Sequence, residues 1–432
     1  MKFFFADSLD LVDPSFDFQS ETRSEARVRQ RDDAYPHEIL SPLPYDGILV
    51  SKAIVDGHGD RGGKYTVAQR HRFLRSGVRS FFRIRDSNLE TIGDCGAFSY
   101  VNEERPPYSV DEVLEFYQGA GFDYGISVDH IILQYQAEFD LSLKGVDPVP
   151  PQWRARQEIT LKLAKEFYRK AKKVGGLTPI GVAQGWSPLS YAESVRRLQA
   201  MGYDYIALGG VVPLKTDQIL ACLKEIDDVR KSKTKLHLLG VTRCESISQF
   251  RNYGVASFDS TSPLRQAFKD DTDNFYTLDR TYCAVRIPQV EGNPKLGKRI
   301  RAGEVNQDAA RRLERACLDV LTKYDRGETS LKEAVGIVEE YEFFLNGSRE
   351  RVDAYREVLM DQPWKKCDCN VCRKIGIHVI LFRGAERNRR RGFHNLHVFR
   401  KRLQVELSRT SSGIKTGSSK QIRVGSGNGN QA

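Results

Sequence analysis

Three of the eight cysteines of this chain crowd into six residues, Cys367-Asp368-Cys369-Asn370-Val371-Cys372, and a histidine pair follows at His394 and His397. Thiolates spaced C-x-C-x2-C with a later imidazole supply the four soft or borderline donors that a tetrahedral zinc ion takes. Spacing alone leaves both histidines open as the fourth ligand. Four protein ligands leave no position for water, so such a site holds structure and does no chemistry of its own. His378 sits in an apolar, strand-like run and reads as core. Reactive chemistry must then come from acidic and polar side chains elsewhere. Asp129, Gln184 and Asp259 each close an apolar run, and Asp94 opens the loop Asp94-Cys95-Gly96-Ala97-Phe98. Asp259, followed by Ser260-Thr261-Ser262-Pro263, has the chemistry of a nucleophile, an acid/base group or a helix N-cap, and residue type does not choose among them.

The elements that must position these groups alternate between short β-like runs and amphipathic helices from about residue 45 to 265. Strands are expected at 48–55, 80–84, 125–129, 180–184, 205–209, 236–241 and 255–259. Helices are expected at 110–118, 158–174, 191–201 and 218–229. Nearly continuous apolar strands at βα spacing imply a parallel sheet, and polar residues recurring at strand C-termini favour an α/β fold of the (β/α)8 TIM barrel type, whose active sites lie on that face. Residues 305–360 read as helices outside the repeat, with Leu313, Cys317, Val320 and Leu321 forming one apolar stripe. The expected division is a barrel domain at 1–295, an inserted helical segment at 296–362, a zinc-binding subdomain with a closing basic helix at 363–407, and a disordered tail at 408–432 rich in Ser, Gly, Lys and Asn.

Hydrophobic content of 40% and charged content of 29% are ordinary for a globular chain. No run approaches the roughly 18 apolar residues of a membrane span. Residues 1–7 are apolar too briefly for a secretory signal, and the scattered Cys95, Cys222, Cys244, Cys283 and Cys317 suit a reducing cytoplasm. The net charge is +10, and Arg383, Arg387, Arg389, Arg390, Arg391, Arg400, Lys401 and Arg402 cluster near the C-terminus. That run is either a phosphate-attracting surface or a solvated helix face. Glycines with Lys64 at 57–64 lack P-loop spacing and read as a turn.

In order along the chain, Asp94-Cys95-Gly96-Ala97-Phe98 resembles a D-S-G-G-F/Y loop, Val182-Ala183-Gln184-Gly185 a V-Q-G strand end, and Leu208-Gly209-Gly210-Val211 a G-G-L turn. Phe258-Asp259-Ser260-Thr261-Ser262-Pro263-Leu264-Arg265 matches F-D-x-x-x-P-x-R, and the cysteine cluster with His394-Asn395 matches C-x-C-x2-C…H-N. Together they resemble the tRNA-guanine transglycosylase family, and in detail its DNA-modifying branch, DpdA, from about residue 45 to 405. Cys95 and Ala97 depart from the usual serine and glycine, and the stretch between Asp259 and Cys367 is longer than in the tRNA enzymes.

The resemblance implies that Asp259 attacks the anomeric carbon as nucleophile while Asp94 serves as general acid/base. It implies that Asp129 reads the donor edge of the base, that Gln184 and Gly210, beside Gly209, meet its carbonyl side, that Phe98 stacks on the ring, and that Arg265 belongs to the substrate site. It selects His394 over His397 as the fourth ligand of a structural zinc. The implied reaction exchanges guanine for 7-cyano-7-deazaguanine in DNA, in the cytoplasm, alongside partner proteins of a DNA-modification system. A tRNA substrate is the nearest alternative. A non-catalytic nucleic-acid-binding subunit is another, and it predicts damage to the acids, whereas Asp94 and Asp259 are both intact.

Overall fold

The computed structural model describes residues 1–58, 61–85, 87–141, 149–269 and 272–413. Eight parallel strands close a barrel in sequence order: β1 (Lys2–Ala6), β2 (Gly47–Ser51), β3 (Glu90–Asp94), β4 (Tyr124–Ile126), β5 (Thr178–Ala183), β6 (Tyr205–Leu208), β7 (Lys235–Leu238) and β8 (Val255–Asp259). Closure falls at β1, where Phe4 stands opposite both Gly47 and Asp259. Side chains alternate faces along a strand. Phe4, Leu49, Ile92, Ile126, Ile180, Val182 and Ala207 therefore fill the interior, while Phe3, Phe5, Ile48, Val50, Ile206, Leu208, Leu236, Leu238 and Phe258 pack outward under the helices.

The outer layer comprises α1 (Val67–Phe81), α2 (Val110–Ala120), α3 (Pro151–Val174), α4 (Pro188–Met201), α5 (Thr216–Val229) and the short α6 (Ile247–Asn252) and α7 (Ser262–Gln266). Thr66, Ser109 and Ser187 cap α1, α2 and α4 with side-chain oxygens that accept from the first turn. Helices α8 (Pro294–Arg301), α9 (Gln307–Asp325), α10 (Leu331–Asn346) and α11 (Val352–Asp361) follow, and Gln362, at φ 45°, breaks the chain before the cysteine cluster. The last helix, α12 (Gly384–Gly413), packs on α6 and α7 and covers the barrel where a long eighth helix is missing. No described helix is long and apolar enough to cross a membrane.

Several expectations change. Residues 80–84 are not a strand: they end α1, which kinks at Gly77 (φ 74°) and packs Phe81 against Phe73 at 5.2 Å between ring centroids. The strand is Glu90–Asp94, so Asp94 ends it and does not open a loop. Residues 2–6, absent from the expected strands, are the first barrel strand. Helix α12 also continues through 408–413, the start of the expected tail, whose remainder, 414–432, lies outside the described residues.

The basic run is neither a solvated face nor, for most of its length, an exposed patch. Arg383 and Arg387 are buried and both pair with Glu21, and Arg383 also pairs with Glu314. Arg390 is buried against Glu386. Arg391, fully buried, donates to the carbonyls of Val379 (3.3 Å) and Leu381 (3.1 Å), and burial pulls its pKa down to about 9. Arg400 forks onto Asp46 at 2.6 and 2.7 Å, and Asp46 also accepts from the Phe3 amide at 2.8 Å. These charges bind α12 to the N-terminal segment and the barrel. Sequence shows sign and density but not which acids from residues 13–46 fold back to meet them.

Candidate active site

Asp94 and Asp259 sit on the inward-facing rows that carry Ile92 and Ser257, at the C-terminal ends of β3 and β8. Strand β4 stops at Ile126, so Asp129 arrives from a loop three residues further on. The three carboxylates share one mouth. Burial and the fields of Asp129 and Asp259 push the pKa of Asp94 up to about 8, against which the neighbouring amides of Cys95 and Gly96 pull weakly.

Asp129 is almost fully buried and held on both oxygens. The Gln184 amide donates to Oδ2 at 2.7 Å and the Cys95 thiol to Oδ1 at 3.3 Å. Tyr100 donates to Cys95 Sγ at 3.0 Å, so the cysteine standing where a serine was expected is itself oriented. Burial raises the Asp129 pKa to about 6 despite these donors. The other end of Gln184 accepts from the Ile132 amide at 3.1 Å. Gly209 and Gly210 are small by necessity, because a Cβ on Gly209 would stand 2.2 Å from Gln184 Nε2. One on Gly210 (φ +74°) would stand 2.2 Å from the Ile132 carbonyl.

Asp259 is buried with Oδ1 engaged twice, by the Gly240 amide at 3.0 Å and by His237 Nε2 at 3.1 Å. His237 is fully buried inside the barrel, and its Nδ1 lies 2.6 Å from Ser257 Oγ, which in turn bonds the Tyr205 hydroxyl. With a proton on Nε2 the ring donates to the carboxylate, while Nδ1 faces the Ser257 hydroxyl. Oδ1 is thereby fixed, while no hydrogen bond from the described residues reaches Oδ2. Phe98, on the turn after Asp94, is 54% exposed, so it is not core and offers an aromatic face at the mouth. Arg265 is exposed on α7, six residues past Asp259.

Away from the mouth, Cys367, Cys369, Cys372 and His394 place their ligand atoms within 4.8 Å of one another. His394 Nδ1 lies 3.5, 3.6 and 3.3 Å from the three sulfurs. Zn–S and Zn–N bonds at a tetrahedral angle put N and S about 3.5 Å apart, so the donors fit zinc. The opposite ring nitrogen donates to the Tyr276 carbonyl at 2.7 Å and fixes the tautomer that leaves Nδ1 free to bind metal. His397 points instead to Asp368, at 3.2 Å.

No protein-family model matches the chain. A curated relative from Salmonella montevideo, a DNA-guanine transglycosylase, is 53% identical over 413 residues, covering 94% of this chain and 98% of the relative. The chain belongs to the DNA-guanine transglycosylase family.

It is therefore a glycosyltransferase. Among the residues singled out by resemblance to the family, the structure brings Asp94, Asp129, Gln184, Gly209, Gly210 and Asp259 to one barrel mouth, with Phe98 at its edge. Among the described residues no hydrogen bond or ion pair joins Arg265 to the three acids; its charge acts on Asp10 instead. Sequence reasoning missed His237, Ser257 and Tyr205. The available signal was a histidine between two leucines, Leu236-His237-Leu238, in a strand whose neighbours on the same face are interior. For the metal centre, His394→Ala should abolish zinc retention by elemental analysis and lower the melting temperature, whereas His397→Ala should keep about one zinc per chain.

Proposed function

We propose that this protein exchanges guanine in DNA for 7-cyano-7-deazaguanine through a covalent aspartyl–nucleoside intermediate. The observation that carries the reading is the convergence of the Asp94 and Asp259 carboxyls on one barrel mouth, where burial and its acidic neighbours raise the pKa of Asp94 to about 8. Asp259 Oδ2 attacks C1′ of the target nucleotide as the C1′–N9 bond breaks, and Asp94 gives its proton to the departing guanine. The incoming base then surrenders its N9 proton to the Asp94 carboxylate and displaces Asp259, with retention through two inversions. One glycosidic bond replaces another, so no nucleotide triphosphate is consumed. Asp129, an acceptor with lone pairs remaining, takes the ring N–H and exocyclic amine of the base. Gln184 and the Gly210 amide lie toward its carbonyl side, and Phe98 stacks on the ring. The target must leave the helical stack to reach Asp259. Zinc in the Cys367, Cys369, Cys372 and His394 site supplies folding energy alone.

Support for DNA comes from the relative's name and the extent of the identity. Incubation with labelled guanine and either a guanine-containing duplex or tRNA should place label in the duplex; label only in tRNA would reject the DNA assignment. A denaturation-resistant protein–DNA adduct should form and vanish with Asp259→Ala. If the wild type forms no adduct with any guanine-containing polymer, the catalytic reading fails.

His237→Phe keeps the ring but removes the donor to Asp259 Oδ1. The carboxylate then loses the fixed orientation that aims Oδ2 at C1′, so adduct formation should slow roughly 10- to 100-fold. An unchanged rate would remove His237 from the mechanism.

The raised Asp94 pKa sets a pH dependence. The proton needed for guanine departure is present below about pH 8 and lost above it, so kcat/KM for DNA should fall with rising pH through that value. Asp94→Asn should lower the rate by roughly 10²- to 10⁴-fold and erase that limb of the profile.

A further inference from the structure

We propose that the cavity between the segment after β1 and helix α12 grips a backbone phosphodiester of the substrate strand, with Arg29 and Arg389 as its free cations. This rests on the DNA reading above and adds where the strand is held.

The cavity, about 420 Å³, is lined by Arg23, Arg27, Arg29 and Arg389, with Asp33 and Glu386 as its acids. Two of the four arginines are already committed. Arg23 pairs with Glu386 at 3.2 Å and Asp13 at 3.7 Å, and Arg27 pairs with Asp33 at 2.6 Å and Asp13 at 3.2 Å. Arg29 is exposed, and neither it nor Arg389 forms an ion pair among the described residues, although the field of Arg389 reaches Asp10. The Nε of Arg389 is buried with no hydrogen-bond acceptor. A buried guanidinium N–H without an acceptor is the group that a phosphate oxygen completes. The rest of the basic run is paired with acids or donates to carbonyls, so Arg389 is its one member left for a ligand among the described residues.

The cavity also lies where a bound strand must pass. Phe4 stands opposite Asp259 and accepts from the Ser260 amide at 3.1 Å. Leu9, on the cavity wall, is five residues beyond Phe4, hence within roughly 17 Å along the chain. On α12, Gly392 lies so close to α7 that a Cβ there would come 2.8 Å from Leu264. Arg389 is one turn earlier on α12, and Arg265 follows Leu264. Lys64, Arg265 and Arg389 all act on the Asp10 carboxylate, which places these three cations around one acid beside β1. The positive groups thus run from the nucleophile loop to the cavity, and phosphates released from counterions would follow them.

Fluorescence anisotropy with a guanine-containing duplex, repeated across salt concentrations, tests this. Arg29→Ala/Arg389→Ala should weaken binding about three- to tenfold near physiological salt and flatten the log Kd against log [salt] slope by about one. Arg389→Lys, which keeps the charge, should recover part of the affinity. The single Arg29→Ala, at an exposed side chain, keeps the test open should the double variant fail to fold. If the wild type exchanges guanine into DNA while both alanine variants bind with unchanged affinity and slope, the cavity is overturned and the DNA reading stands. Exchange into tRNA alone, with the slope lost on tRNA in the variants, would sink the DNA reading and keep the phosphate site. Saturable binding of inorganic phosphate that the variants lose, with DNA binding intact, would assign the cavity to free phosphate and overturn the proposal.

Discussion

Three carboxylates confined to one buried mouth cannot all carry charge, and the rest of the site follows from how the fold settles that conflict. Asp259 has a backbone amide and a histidine on one oxygen. Asp129 has an amide and a thiol on its two. Asp94 has only the amides next to it in sequence and faces both of the others, so it keeps the proton. In the proposed exchange these three groups divide the labour: Asp94 gives a proton, Asp259 attacks through its unengaged oxygen, and Asp129 accepts donors from a base. It also strains the fold. A carboxyl whose pKa is raised on folding contributes its full stability below about pH 4, and that contribution is lost as pH rises toward 8, so the mouth trades stability for chemistry at neutral pH.

The remote elements act on this mouth through mechanical links. His394 fits as the fourth donor of the cysteine cluster, and its neighbour Asn395 donates to the carbonyls of Pro263 (3.2 Å) and Asn274 (3.1 Å) while accepting from the Tyr276 amide at 3.0 Å. Pro263 lies four residues past Asp259. The His-Asn pair therefore joins the cysteine cluster to the loop that leaves Asp259. Glu21, bridging Arg383 and Arg387, clamps the segment after β1 to the same helix.

The barrel was legible because parallel strands buried on both faces write themselves as apolar runs ending in polar residues. Asp129, Gln184 and Asp259 were found that way, although Asp129 belongs to the loop beyond its strand. Register at the start of the barrel was not legible. Phe3-Phe4-Phe5 is too short to declare itself a strand without its partners, and Ser80-Phe81-Phe82-Arg83-Ile84 alternates like one yet packs outside with Phe73. The basic run misled for a related reason: a sequence gives charge but not pairing, and several of its partners come from more than 300 residues away, as in Arg387 to Glu21. His237 stayed hidden because a polar residue in an apolar strand becomes informative only once the inward row is known.

The chemistry proposed for the mouth turns on the proton that burial, Asp129 and Asp259 keep on Asp94. Carbon-13 NMR of selectively labelled aspartate, titrated from pH 4 to 10 and assigned by comparison with Asp94→Asn, measures it directly. A carboxyl should titrate near pH 8 and move to lower pH when Asp259 is replaced by asparagine. Titration of Asp94 near pH 4 in both proteins would contradict it.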